Sequence, residues 1–175
     1  MKRSRTILLV EDNPDDIELT LRAFAKCNLA GDVVVVRDGA EALDYLFVTG
    51  VHAGRDPAVA PEVIFLDLNL PKIDGLNVLK AVRADQRTHL IPIVVLSSSK
   101  DERDVVSSYE RGANSFVRKP VDFGEFVDAA RQLGLYWLGL NETVPSSRPG
   151  EPNEHGTIDG GRQETAAADH RRRSR

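Results

Sequence analysis

Five residues of this chain have side chains suited to phosphoryl chemistry if a fold gathers them: Glu11, Asp12, Asp67, Ser97 and Lys119. Each lies at or just after the end of a short apolar run. Carboxylates brought close together repel one another and resist ionisation. A divalent cation relieves that repulsion, and Mg²⁺ in particular prefers hard oxygens: one or two carboxylates, with waters and phosphate oxygens. Lys119 adds a fixed positive charge and Ser97 a hydroxyl donor. With the metal and the lysine stabilising charge on the transferring oxygens, Asp67 could attack a phosphorus atom. Taken alone, Asp12 reads equally well as an acid at a helix start, where it complements the helix dipole.

Convergence depends on the elements that carry these residues. Apolar runs at Thr6–Val10, Val33–Val36, Val63–Leu66, Ile91–Leu96 and Ser115–Val117 predict five buried strands. Between and after them lie five helical stretches: Pro14 to about Cys27, Gly39–Gly50 stopped by glycine, about Gly75 to Ala84, Asp101–Arg111, which is polar and weak in apolar signal, and Asp122 to about Leu138 with Asp122 as N-cap. Val51–Pro61 has no periodicity and reads as a loop. Five strands, each followed by a helix, require right-handed crossovers and a parallel sheet covered on both faces. The fold class is therefore α/β, a doubly wound five-stranded sheet. In such a sheet, side chains meet in the crevice beyond the carboxyl ends of the strands, where these five residues fall. Trp137, at the end of the last helix, reads as a lid on the core.

Composition bounds the rest. The chain has 175 residues, 41% hydrophobic and 29% charged, enough for one domain and a tail. Residues 1–140 form that domain. From Asn141 to Arg175 the chain turns to Pro, Gly, Ser, Glu and Arg, and reads as a disordered tail ending in a basic cluster. No run approaches the roughly 20 apolar residues needed to span a bilayer, so a cytoplasmic location and no membrane contact are expected. The net charge of −4 sits wholly in the first 138 residues and argues against nucleic acid as a partner. A single cysteine, Cys27, rules out an internal disulfide and reads as a small helix hydrophobe. Glu-Asp-Asn-Pro after the first strand is no glycine-rich dinucleotide turn, and no Walker loop occurs. A small phosphatase or phosphotransfer enzyme with an Asp nucleophile is the alternative function. Enzymes of the haloacid-dehalogenase type keep a second Asp two residues beyond the nucleophile, where this chain has Asn69.

In order along the chain, LLVEDN, FLDLNLPKIDG, VVLSSS and FVRKP resemble the receiver domain of two-component response regulators, over roughly Thr6 to Leu138. The resemblance implies a flavodoxin-like sheet of order 2-1-3-4-5 with helices on both faces. It also implies that Asp67 accepts a phosphoryl group from a sensor histidine kinase, with slow self-catalysed loss rather than enzymatic turnover. Asp12 and Asp67 would bind Mg²⁺ with the Asn69 carbonyl, and Glu11 indirectly. Lys119 would pair with the phosphoryl oxygens, Ser97 would hydrogen-bond them, and Phe116 would be the switch aromatic. Asn69 and Ser99 would tune the phosphoryl lifetime, and the Lys119–Pro120 bond would be cis. VEDNPDDIELT, DGAEALDYL, the 51–61 loop and YWL resemble single-domain, phytochrome-associated regulators. That narrower likeness implies a bacteriophytochrome-type kinase, signalling by protein contact without a DNA-binding output domain, and a homodimer through a face carrying Tyr109, Phe123 and Phe126. It leaves a histidine phosphotransfer protein open as an onward acceptor.

Overall fold

The structure is a computed structural model that describes residues 5–26 and 31–144. Five parallel strands, β1 (Arg5–Val10), β2 (Gly31–Val36), β3 (Val63–Leu66), β4 (Ile93–Ser97) and β5 (Ser115–Arg118), form one sheet of order β2-β1-β3-β4-β5. Between and after them come α1 (Pro14–Lys26), α2 (Gly39–Phe47), α3 (Gly75–Ala84), α4 (Glu102–Glu110) and α5 (Phe123–Leu135).

Alternation along the strands divides the core in two. Ile7, Leu9, Val63, Phe65, Val94 and Leu96 meet α1 and α5 through Ile17, Phe24, Phe126 and Val127. Leu8, Val10, Ile64, Leu66, Ile93 and Val95 face the other way, onto α2 and α3 through Leu46, Val78, Leu79 and Val82. The edge strand β5, expected to be buried, is only partly so. Both faces of the central strands are covered, which is why β3 and residues 7–10 of β1 and 93–96 of β4 are apolar at every position. Burying each such Leu, Ile or Val contributes roughly 1.5–3 kcal/mol. The helix α4 is the exception: of its residues only Ser108 is buried, which matches its weak apolar signal. Trp137 is buried against the α1/α5 side, as a lid on that core.

Several boundaries moved, each for a local reason. Glycine does not stop α2. Val48 takes the left-handed conformation at φ 59° and donates its N–H to the Asp44 carbonyl, ending the helix two residues before Gly50. The loop then opens with a 3₁₀ turn, Gly50–His52, and is pinned by Arg55. That guanidinium lies 4.2 Å over the Tyr45 ring, with its Nε and Nη2 donating to the Tyr45 carbonyl. The fourth strand starts at Ile93 rather than Ile91, because Pro92 has no N–H for the ladder and supplies only its carbonyl, to Ile64 N–H. The α-helical part of α5 ends at Leu135 and gives way to a π-helical turn, Tyr136–Leu140. Among the described residues no peptide bond is cis, so Lys119–Pro120 is trans, the intrinsically favoured isomer. Cys27 and residues 145–175, most of the expected tail, lie outside the described residues.

Candidate functional site

The parallel register brings the strand ends level. Leu66 pairs with Val95 and Val10 with Leu66, while Ser97 pairs with Arg118. Asp67 follows β3, Glu11 and Asp12 follow β1, Ser97 closes β4 and Lys119 follows β5, so all five reach one edge. Backbone bonds hold them there: Asp67 N–H donates to the Val10 carbonyl, Glu11 N–H to Val36 and Lys119 N–H to Ser97. Gly75 matters here, since a Cβ on it would stand 2.3 Å from the Asp67 carbonyl oxygen. The start of α3 therefore packs directly on the Asp67 peptide, and only glycine fits.

Asp67 is 6% exposed. Its Oδ1 accepts the Leu68 N–H at 2.9 Å and lies 3.7 Å from Lys119 Nζ. Burial, reinforced by the negative charge of Glu11, pushes its carboxyl up to about 6, although Lys119 and two backbone N–H groups pull the other way. Carboxylate oxygens of Glu11, Asp12 and Asp67 lie within 4.8 Å of one another, with Glu11 and Asp67 buried and Asp12 exposed. Three hard, anionic oxygens at that separation fit a small divalent cation.

Lys119 is the counter-charge. Its Nζ donates to Glu11 Oε2 at 2.5 Å and to Asp16 Oδ2 at 2.9 Å. Burial acts to lower its ammonium, but Asp67, Glu11 and Asp16 outweigh burial and hold it above the ordinary lysine range. Asp16 was not singled out in the sequence. It sits in the first turn of α1, where an acid has an ordinary role beside the helix dipole. Nothing in the local pattern distinguishes it from Asp15, which is exposed; only the approach of the β5 end to α1 does.

Ser97 is fully buried, and its Oγ accepts the Ser99 N–H at 3.1 Å. Ser99 in turn donates its hydroxyl to Asp104 Oδ2 on α4 and accepts the Asp101 N–H. Asn69 is exposed on the loop after Asp67. Phe116 is half-buried against the α2/α3 core, and its N–H donates to the Tyr109 hydroxyl at 3.2 Å. Of the three aromatic residues expected on a dimer face, Tyr109 and Phe123 are about half exposed. Phe126 is not on that surface: it is buried in the α1/α5 core, because its position on α5 turns it toward the sheet.

The arrangement can bind a hard cation, stabilise added negative charge with Lys119, and offer Asp67 as a nucleophile once it is ionised. No described helix is long and apolar enough to cross a membrane. Comparison with known proteins agrees with the geometry. Residues 7–131 match the model of the response regulator receiver domain. Response regulator Rcp1 of Synechocystis sp. is 33% identical, the alignment covering 80% of this chain and 91% of Rcp1. The structure of Rcp1 in its Mn²⁺-bound form is similar with a TM-score of 0.75 at 31% identity, covering 80% of this chain and 99% of that one. The phosphorylated cyanobacterial phytochrome response regulator RcpA gives 0.75 at 37% identity, with 80% and 98% covered. The bacteriophytochrome response regulator AtBRR is 56% identical with a TM-score of 0.64, covering 80% of this chain and 99% of its own.

Proposed function

The chain belongs to the response regulator receiver family, and from that premise we propose that it accepts a phosphoryl group on Asp67 from a histidine of a sensor kinase. The carrying observation is the Asp67 environment: a buried carboxylate with a carboxyl at about 6, 3.7 Å from Lys119 and grouped with two further acids. At neutral pH it is ionised yet poorly solvated, which favours its attack. An Asp67 oxygen forms the new bond to phosphorus while the phosphorus–nitrogen bond to the donor imidazole breaks. The electron pair returns to that nitrogen, which takes a proton from water. Lys119 stabilises the phosphoryl oxygens, and Ser97 turns its hydroxyl from Ser99 toward them. Phe116 follows Ser97 inward as the switch.

Asp12, Asp67 and the Asn69 carbonyl would hold Mg²⁺, with Glu11 acting indirectly. Bound there, the ion supplies charge neutralisation for the acids and the incoming phosphoryl group. The manganese form of Rcp1 supports a divalent ion at this position. Asn69 and Ser99 control the access of water and set the phosphoryl lifetime. The likeness to the phytochrome regulators RcpA and AtBRR supports a bacteriophytochrome-type kinase as donor, in the cytoplasm. Residues 1–140 act as the receiver, signalling through protein contact, with a histidine phosphotransfer protein as the onward acceptor. Tyr109, Phe123 and the 96% exposed Val121 give an apolar surface for a homodimer.

Incubation with acetyl phosphate and Mg²⁺ tests the proposal by intact-mass spectrometry. An added phosphoryl mass that needs Mg²⁺ and disappears in Asp67→Asn is expected. Equal labelling of that variant defeats it.

A further inference from the structure

Lys119 is engaged by one carboxylate more than phosphoryl chemistry asks for. An ammonium has three N–H donors, and in this structure two are committed, to Glu11 and to Asp16. The two partners are not equivalent. Glu11 is 3% exposed, and its other oxygen accepts the Asn13 N–H, so losing Lys119 would strand a buried charge. The Asp16 side chain is 26% exposed and lies in the first turn of α1. Once released, it can turn to water and still rest near a helix N-terminus, where negative charge is favourable.

Phosphorylation replaces one carboxylate charge by about −1.5 to −2. It does so beside Glu11, Asp12 and Asp16, all balanced by one ammonium. We infer that Asp16 is a positioning residue that parks Lys119 and competes with the incoming phosphoryl group for it, setting how tightly the phosphorylated form of the site is held. The inference rests on Asp67 being the phosphoryl acceptor. Glu11 orients the lysine in both states, whereas Asp16 is the partner given up. A phosphoryl oxygen then takes the donor that Asp16 surrenders.

Beryllofluoride, which mimics the aspartyl phosphate, tests this at saturating Mg²⁺ by NMR titration of the full chain. Asp16→Asn should bind it about tenfold more tightly than wild type, a gain of about 1.4 kcal/mol, because the competing charge is gone. Asp16→Glu keeps the charge and should stay within about twofold of wild type. Folding is followed by melting curves, and Asp16→Ser, which also removes the charge, carries the same expectation should Asp16→Asn fail to fold. A purely structural role predicts a lower melting temperature with unchanged affinity, so equal or weaker binding by the charge-removing variants overturns the inference alone. A wild-type chain that binds no beryllofluoride overturns the Asp67 assignment and this inference with it.

Discussion

Two partly buried cations hold the ends of this sheet, and they are satisfied in opposite ways. Arg83, on α3, donates to the carbonyls of Gly112, His89 and Ile91 and to Asn114 Oδ1, all at 2.8–2.9 Å. None of these partners carries a charge, and burial lowers its guanidinium below the ordinary arginine range. Lys119 has only carboxylates around its ammonium, and their charges raise it. Neutral dipoles held in place by the fold cannot be exchanged for an anion, so Arg83 is a pin joining α3 to the loops that lead into β4 and β5. Carboxylates can be traded for another anion, so Lys119 is suited to chemistry. The difference lies in the partners, not in the depth of burial.

That contrast can be broken by substitution. Arg83→Ala should cost the most, about 3 kcal/mol in urea unfolding, since several acceptors lose their donor together. Its loss should be nearly independent of pH between 5 and 8, with beryllofluoride affinity unchanged. Lys119→Gln should cut the rate of acetyl phosphate labelling about 100-fold, the usual scale for removing one electrostatic stabiliser. Unlike the Arg83 variant, it should lose melting temperature at pH 8 and regain it toward pH 5, as the buried Asp67 carboxyl takes up its proton. A pH-independent loss in both variants would erase the distinction.

A smaller effect sharpens the electrostatic side. The folded Asp67 carboxyl, at about 6, stands above its ordinary value of 3.8. A raised carboxyl contributes stability that is fully present below pH 4 and lost as the pH climbs through 6. Asp67→Asn cannot lose that contribution. In a chelator it should match wild type near pH 4 and exceed it by about 2 kcal/mol above pH 7, measured by denaturant unfolding at each pH. A constant difference across that range would mean that burial of the charge is not the cause.

The smallest effect belongs to the surface. Asp38 accepts the Glu41 N–H as the N-cap of α2 and also pairs with Lys72 at 2.9 Å. Asp38→Ala should cost about 1 kcal/mol through the lost cap. Lys72→Ala should leave the melting temperature unchanged, because its side chain is 67% exposed and water replaces the pair.

Much of this was legible in the residues. Val63–Leu66 and Gly75–Ala84 fell on their predicted boundaries, since apolar periodicity is a local signal. The ends of α2 and β4 were less legible. A valine in the left-handed region and a proline whose carbonyl alone joins the ladder are choices that packing imposes on the local preference. Phe126 was placed on the wrong side because α5 keeps its apolar residues on more than one face, and Phe123 and Phe126 differ only in which face meets α1. The acids after β1 and β3 and the lysine after β5 could be found because strand ends in a parallel sheet share one edge.

By itself, the sequence determined the order of elements, the doubly wound sheet and the meeting of Glu11, Asp12, Asp67, Ser97 and Lys119 at one edge. Period and strand-end position are properties of the chain. Tertiary structure alone decided which partners those residues take: Asp16 on Lys119, and the burial that lifts Asp67. Hydrogen bonds and desolvation act over a few ångströms, and residues 103 positions apart come that close only when the chain is folded.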